Sequence, residues 1–100
     1  MPLLIGISTF FTSILVTLAV PEKVKADNAD FFFKSAYEKS ELGDPYGAIS
    51  DYTKAIQINP NFENAYINRG ISKRKIGDYQ GAISDYNKAL TIDSKDADTD

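Results

Sequence analysis

The phrase GDPYGAISDYTKAI, Gly43 to Ile56, returns 34 residues later as GDYQGAISDYNKAL, Gly77 to Leu90. The copy mixes Gly, Asp, Tyr, Lys and Ala in a fixed order, so it is not low-complexity drift. A period of this length is the mark of an array of stacked supersecondary units. Laying residues 29–62 on 63–96 gives 12 identities in 34, and 11 of them fall between Gly43 and Ile58. One half of the unit is copied closely and the other has diverged.

Each unit reads as two helices joined by Gly-Asp. Gly43 and Gly77 stand where a first helix must stop, because Gly enters the left-handed region without steric cost. Asp44 and Asp78 follow, placed to cap the next helix with a carboxylate oxygen. Pro45 suits the first helical position, where its missing N–H costs nothing. The first helices are expected at about Asn28–Leu42 and Phe62–Ile76, the second at about Pro45–Ile58 and Tyr79–Ile92. Along the second helices Ala48, Tyr52 and Ala55, and again Ala82, Tyr86 and Ala89, recur at spacings of four and three. Each trio therefore lies on one face. Asn59-Pro60 closes the first unit, whereas Asp93-Ser94 is a softer stop. Gly47 and Gly81, one turn inside their helices, cost about 1 kcal/mol each relative to Ala; close approach of a neighbouring helix is the expected compensation.

The pattern resembles the tetratricopeptide repeat, a 34-residue helix–turn–helix unit, over Ala29 to Asp96. The family's large residue near the start of the unit is Phe32 or Tyr66, and its small residue one turn later is Ala36 or Gly70. The small–large–small series of its second helix is Ala48, Tyr52, Ala55 or Ala82, Tyr86, Ala89, and its closing proline is Pro60. The resemblance implies an all-α fold of two hairpins, 29–62 and 63–96, stacked as a short solenoid. Two departures stand out: Ser35 or Arg69 where Leu is usual, and Lys39 or Lys73 where Tyr is usual. An Arg in a helix seam needs a carboxylate, since an unpaired buried charge is very costly, and Asp51 and Asp85 are the two candidates.

The resemblance also implies a function. First helices of successive units line a concave surface, here Asp30, Phe33, Tyr37, Ser40 and Glu41, then Asn64, Ile67, Asn68, Ile71, Arg74 and Lys75. Phe33/Tyr37 and Ile67/Ile71 are i, i+4 pairs that form two apolar ridges, and an apolar strip rimmed by charge marks an interaction surface. The expectation is a non-catalytic module that binds a peptide or protein through this groove, with Phe33, Tyr37, Asn64, Ile67, Asn68, Ile71 and Arg74 as contact residues. The alternative is a self-assembling subunit that completes its solenoid by oligomerisation, because arrays of fewer than about three units seldom stand alone. The carboxylate clamp of some relatives is unsupported, since Phe33 and Tyr37 stand where it needs Lys and Asn.

Composition narrows the remaining chemistry. The chain has no Cys and no His, which removes thiolate and imidazole chemistry, the commonest nucleophiles, bases and metal ligands. No catalytic, cofactor or metal site is expected. A net charge of −3 argues against a nucleic-acid partner. Lys73-Arg74-Lys75 reads as a solvated helix end opposing the helix dipole, and the acidic residues after Asp93 as a frayed tail over 97–100.

Before the repeats, Leu3 to Val20 is an uncharged run of 18 residues, followed by Pro21 and EKVKA. An apolar run, a helix breaker and the Val24-Lys25-Ala26 site make residues 1–26 a signal peptide cut near Ala26. The alternative is a membrane anchor, since the run would span roughly 27 Å as a helix, close to a bilayer core of about 30 Å. The chain is thus expected to be exported (periplasmic, lumenal or secreted), or membrane-attached if the segment is retained. The resemblance, in its Asn68-Arg69-Gly70 variant, implies a bacterial source as an expectation.

Overall fold

The computed structural model describes residues 19–99, with side chains to residue 96. The apolar helix expected within 1–26 lies mostly outside these residues. Among the described residues there are four helices and no strand: α1, Glu22–Glu41; α2, Pro45–Ile58; α3, Glu63–Lys75; and α4, Tyr79–Thr99. Each helix packs mainly on its neighbours in sequence, and α1 touches α3 only lightly. That is the geometry of two antiparallel hairpins in a stack.

The Gly-Asp joints work as their chemistry dictates. Gly43 and Gly77 have φ of +82° and +86°. The Asp44 N–H donates to the Lys39 carbonyl at 2.8 Å and the Gly43 N–H to Ser40 at 3.1 Å, with the same pair of bonds around Gly77. These are Schellman closures, which satisfy the last carbonyls of α1 and α3. The Asp44 carboxylate then accepts from the Gly47 N–H at 2.9 Å, and Asp78 from Gly81 at 2.9 Å. Each such cap contributes about 1 kcal/mol.

A different explanation emerges for Gly47 and Gly81. A Cβ on either would strike the capping carboxylate of Asp44 or Asp78, nearer than any other group, with the Lys39 stem next at Gly47. The glycines make room for the cap. Close helix approach occurs instead at Gly70, where a Cβ would fall 2.6 Å from the Tyr86 ring.

Two helices outrun their expected limits. α1 begins at Glu22 rather than near Asn28, because no breaker intervenes after Pro21, which sits extended at its N-cap. Residues 22–28 are all exposed, so no packing signal announces them. α4 runs to Thr99 instead of stopping near Ile92. Ser94 replaces the proline that ends α2, and nothing else forbids the next turn.

The core is built by the repeated phrase. Ala48, Tyr52, Ala55 and Ile56 on α2 pack with Ala36, Ala65, Tyr66, Ala89 and Ile92. Alanine at the crossings lets the helix axes approach, and the fully buried Tyr52 ring fills the space beside them. The α2–α3 turn is held by two side chains. Asn59 Oδ1 accepts from the Asn61 N–H at 3.1 Å, and the Tyr66 hydroxyl donates to the Pro60 carbonyl at 3.0 Å.

Candidate functional site

On the first helices, α1 and α3, the residues expected to form the strip divide into half-buried and exposed members. Phe33 stacks on Phe62 with ring centres 4.9 Å apart and meets Tyr52 edge-on at 5.6 Å. Phe33 and Ile67 are therefore half-buried supports tied to the core. Tyr37 is 52% exposed; Asn64 and Arg74 are exposed, and Asn68 and Ile71 half-buried. A depression of about 330 Å³ is lined by Phe33, Lys34, Tyr37 and Glu38. Lys34 and Glu38 were not on the expected surface, and Phe62 escaped notice because it lies in the turn between units. Asn68 lies beside the Tyr52 hydroxyl. Burial pushes the Tyr52 phenol pKa up, and the Asn68 hydrogen bond offsets part of that rise.

The two departures from the usual repeat pattern converge on one polar seam in each unit. In the first, the Ser35 hydroxyl donates to Asp51 at 2.6 Å, Lys39 reaches the same carboxylate at 2.8 Å, and Lys54 lies 3.8 Å away. In the second, Arg69 grips Asp85 with two parallel bonds, Nε at 2.8 Å and Nη2 at 2.6 Å, and Lys73 adds a third contact at 3.1 Å. Of the two candidate partners for Arg69, the structure selects Asp85, 16 residues away in the same hairpin. The Arg69 Nη1 also donates to the Thr53 hydroxyl on α2 at 3.2 Å, and the guanidinium carbon lies 5.6 Å from the centre of the Tyr66 ring. One side chain thus ties α2, α3 and α4.

Lys39 and Lys73 were not singled out for this seam, although a signal existed: theirs is the single identity between the units outside the Gly43–Ile58 half. Burial pushes the Asp51 carboxyl up, but hydrogen bonds from Lys39 and Ser35 and the charges of Lys39 and Lys54 outweigh it and hold the pKa below its ordinary value. The hydrogen bond to Asp51 raises that of Lys39. These carboxylates are neutralised within helix seams, which gives them a structural office.

Two family models described as tetratricopeptide repeat match the chain, one over residues 29–62 and one over 63–96. No curated protein matches it. Among solved structures, the crystal structure of MamA is similar, with a TM-score of 0.68 and 31% sequence identity. That match covers 70% of this chain, which spans 41% of the MamA chain. Members of such a family are generally non-catalytic modules that bind protein partners and can self-assemble. The repeat boundaries, the hairpin stack and these matches agree: the chain belongs to the tetratricopeptide repeat family.

Proposed function

We propose that this interaction module binds an extended or helical peptide along the strip between α1 and α3. The observation that carries the reading is the exposed Tyr37 on α1 beside the Phe33–Phe62 stack, which joins α1 to the start of α3. A rigid apolar floor with an exposed aromatic edge lets a ligand bury surface without ordering the site first. Acidic Glu41 is exposed at the end of α1, where Asp30 is paired with Lys34 at 3.0 Å, and basic Arg74 and Lys75 end the other helix. Unlike charges at the two rims give a bound peptide its direction.

Selection of a displayed random-peptide library on the full chain tests this. Enriched sequences should share an apolar anchor, and Tyr37→Glu combined with Ile71→Glu should abolish enrichment. Equal enrichment by parent and double variant would sink the groove. Tyr37 is exposed and Ile71 half-buried, and neither belongs to the buried core; circular dichroism of the double variant checks that it is folded.

We also propose export with cleavage after Ala26. Supporting this, residues 22–26 are all exposed, and the first buried side chain among the described residues is Ala29. The cut would shorten α1 by just over a turn without touching the core. Among the described residues no helix is long and apolar enough to cross a membrane. N-terminal sequencing of the mature protein should start at Asp27; a start at Met1 or Pro2 would refute cleavage.

A further inference from the structure

Equivalent positions that differ in burial reveal what a neighbouring unit covers. The second helices carry the same stripe, Ile49, Thr53 and Ile56 on α2 and Ile83, Asn87 and Leu90 on α4. On α2 the following unit lies over it and Ile56 is only 9% exposed. On α4 the stripe is bare, with Ile83 53% and Leu90 64% exposed.

The first helices show the converse. Ala65 and Ser72 of α3, seven residues apart, are both fully buried, and Arg69 between them reaches Thr53 across the seam. At the same places α1 carries Phe31, which is 65% exposed, Glu38 and Ser35. Both hairpins have a second helix behind the first, so the extra burial in α3 comes from the preceding unit. Small side chains there let α3 seat on α2.

We propose that α4 is an open seat for a helix built like α3 and supplied by a partner protein, while α1 is shaped to refuse the α4 of a second copy. The occupant follows from continuity with the α2–α3 seam, since stacked repeats reuse one interface. Its chemistry is two small side chains seven residues apart with a guanidinium between them. Asn87 stands where Thr53 accepts from Arg69, and its side-chain oxygen can take the same bond. A second copy fails on two counts. Phe31 puts a ring where Ala65 lets the backbones close, and Glu38 would carry an unpaired carboxylate into a dry seam. On this reading, head-to-tail stacking, one form of the oligomerisation expected from sequence, is disfavoured at α1. This seat is separate from the groove between α1 and α3 and does not rest on the peptide reading.

The test uses the full chain as receptor and a variant of itself as probe. The probe carries F31A and E38A, which give α1 the small residues of α3, and L90E, which blocks its own α4. All three positions are exposed, so folding is spared. Sedimentation velocity should show a 1:1 complex of parent and probe, at least about tenfold tighter than parent with itself. L90E in the parent should abolish it, and S35R in the probe should tighten it only while Asn87 is present. The proposal is overturned if no complex forms at the highest soluble concentration, if L90E in the parent has no effect, or if the parent associates with itself as tightly as with the probe.

Discussion

The two hairpins share a backbone plan and hold their polar seams in opposite ways. In the first, Asp51 is served by Ser35 and by Lys39, whose side chain is nearly half exposed. In the second, Asp85 is served by the well-buried Arg69 and by Lys73, and the network crosses to Thr53 of the preceding unit. A guanidinium has five donors in a rigid fork, so it needs acceptors on more than one side. The second hairpin has an earlier helix to supply one. Among the described residues the first has none, and a short hydroxyl stands in its place. The guanidinium thus stands in the unit that has an earlier helix to bond.

The largest expected effect separates the two carboxylates. Asp85→Ala strands Arg69 in the seam and should cost about 3–5 kcal/mol, whereas Asp51→Ala frees a lysine that can turn to water and should cost about 1–2 kcal/mol. Urea unfolding of both measures the gap, and Asp85→Asn serves if the Ala variant does not fold. Equal losses would break the comparison.

Next comes the helix crossing. Gly70→Ala should destabilise by about 1 kcal/mol, the Tyr86 overlap exceeding the gain in helix propensity. The first hairpin already holds Ala36 at that position against Tyr52. A more stable Gly70→Ala protein would mean that Tyr86 yields freely.

Thr53→Val should cost roughly 0.5–1.5 kcal/mol by removing one acceptor of Arg69. A double-mutant cycle with Arg69→Lys should show the two losses to be coupled. Additivity would show that the inter-unit bond contributes nothing.

The pH dependence is smaller and belongs to the first hairpin. The lowered pKa of Asp51 gives stability that is present above 3.8 and lost as pH falls through its folded value. The raised pKa of Lys39 gives stability that is present below 10.5 and lost as pH rises through its folded value. Melting temperature followed at both extremes should fall less steeply in Asp51→Asn than in the parent.

Much of this was legible in the repeated letters. Gly43 and Asp44 announce a helix end and a helix start because their backbone and capping demands are local. Arg69 announces a carboxylate because its charge cannot be buried alone. Which of Asp51 and Asp85 it takes could not be read, since both occupy the same place in their units. Distinguishing them required knowing that the seam closes within a hairpin. The early start of α1 was hidden because exposed helix leaves no apolar period, and the length of α4 because a missing proline is a weak signal. The division of the groove into floor and surface depended on Phe62, a turn residue that acquires its partner only when two units stack.

The two-residue reversal at Gly43-Asp44 also has a kinetic consequence. Because the chain turns back within two letters, the bonds that close each hairpin join residues only 16 apart in sequence. Little loop entropy is lost before contacts repay it, so folding should fall in the microsecond-to-millisecond range of low-contact-order helical proteins. The Arg69–Thr53 bond between the units also joins residues 16 apart, so the second hairpin can dock on the first at a similarly small cost in loop entropy.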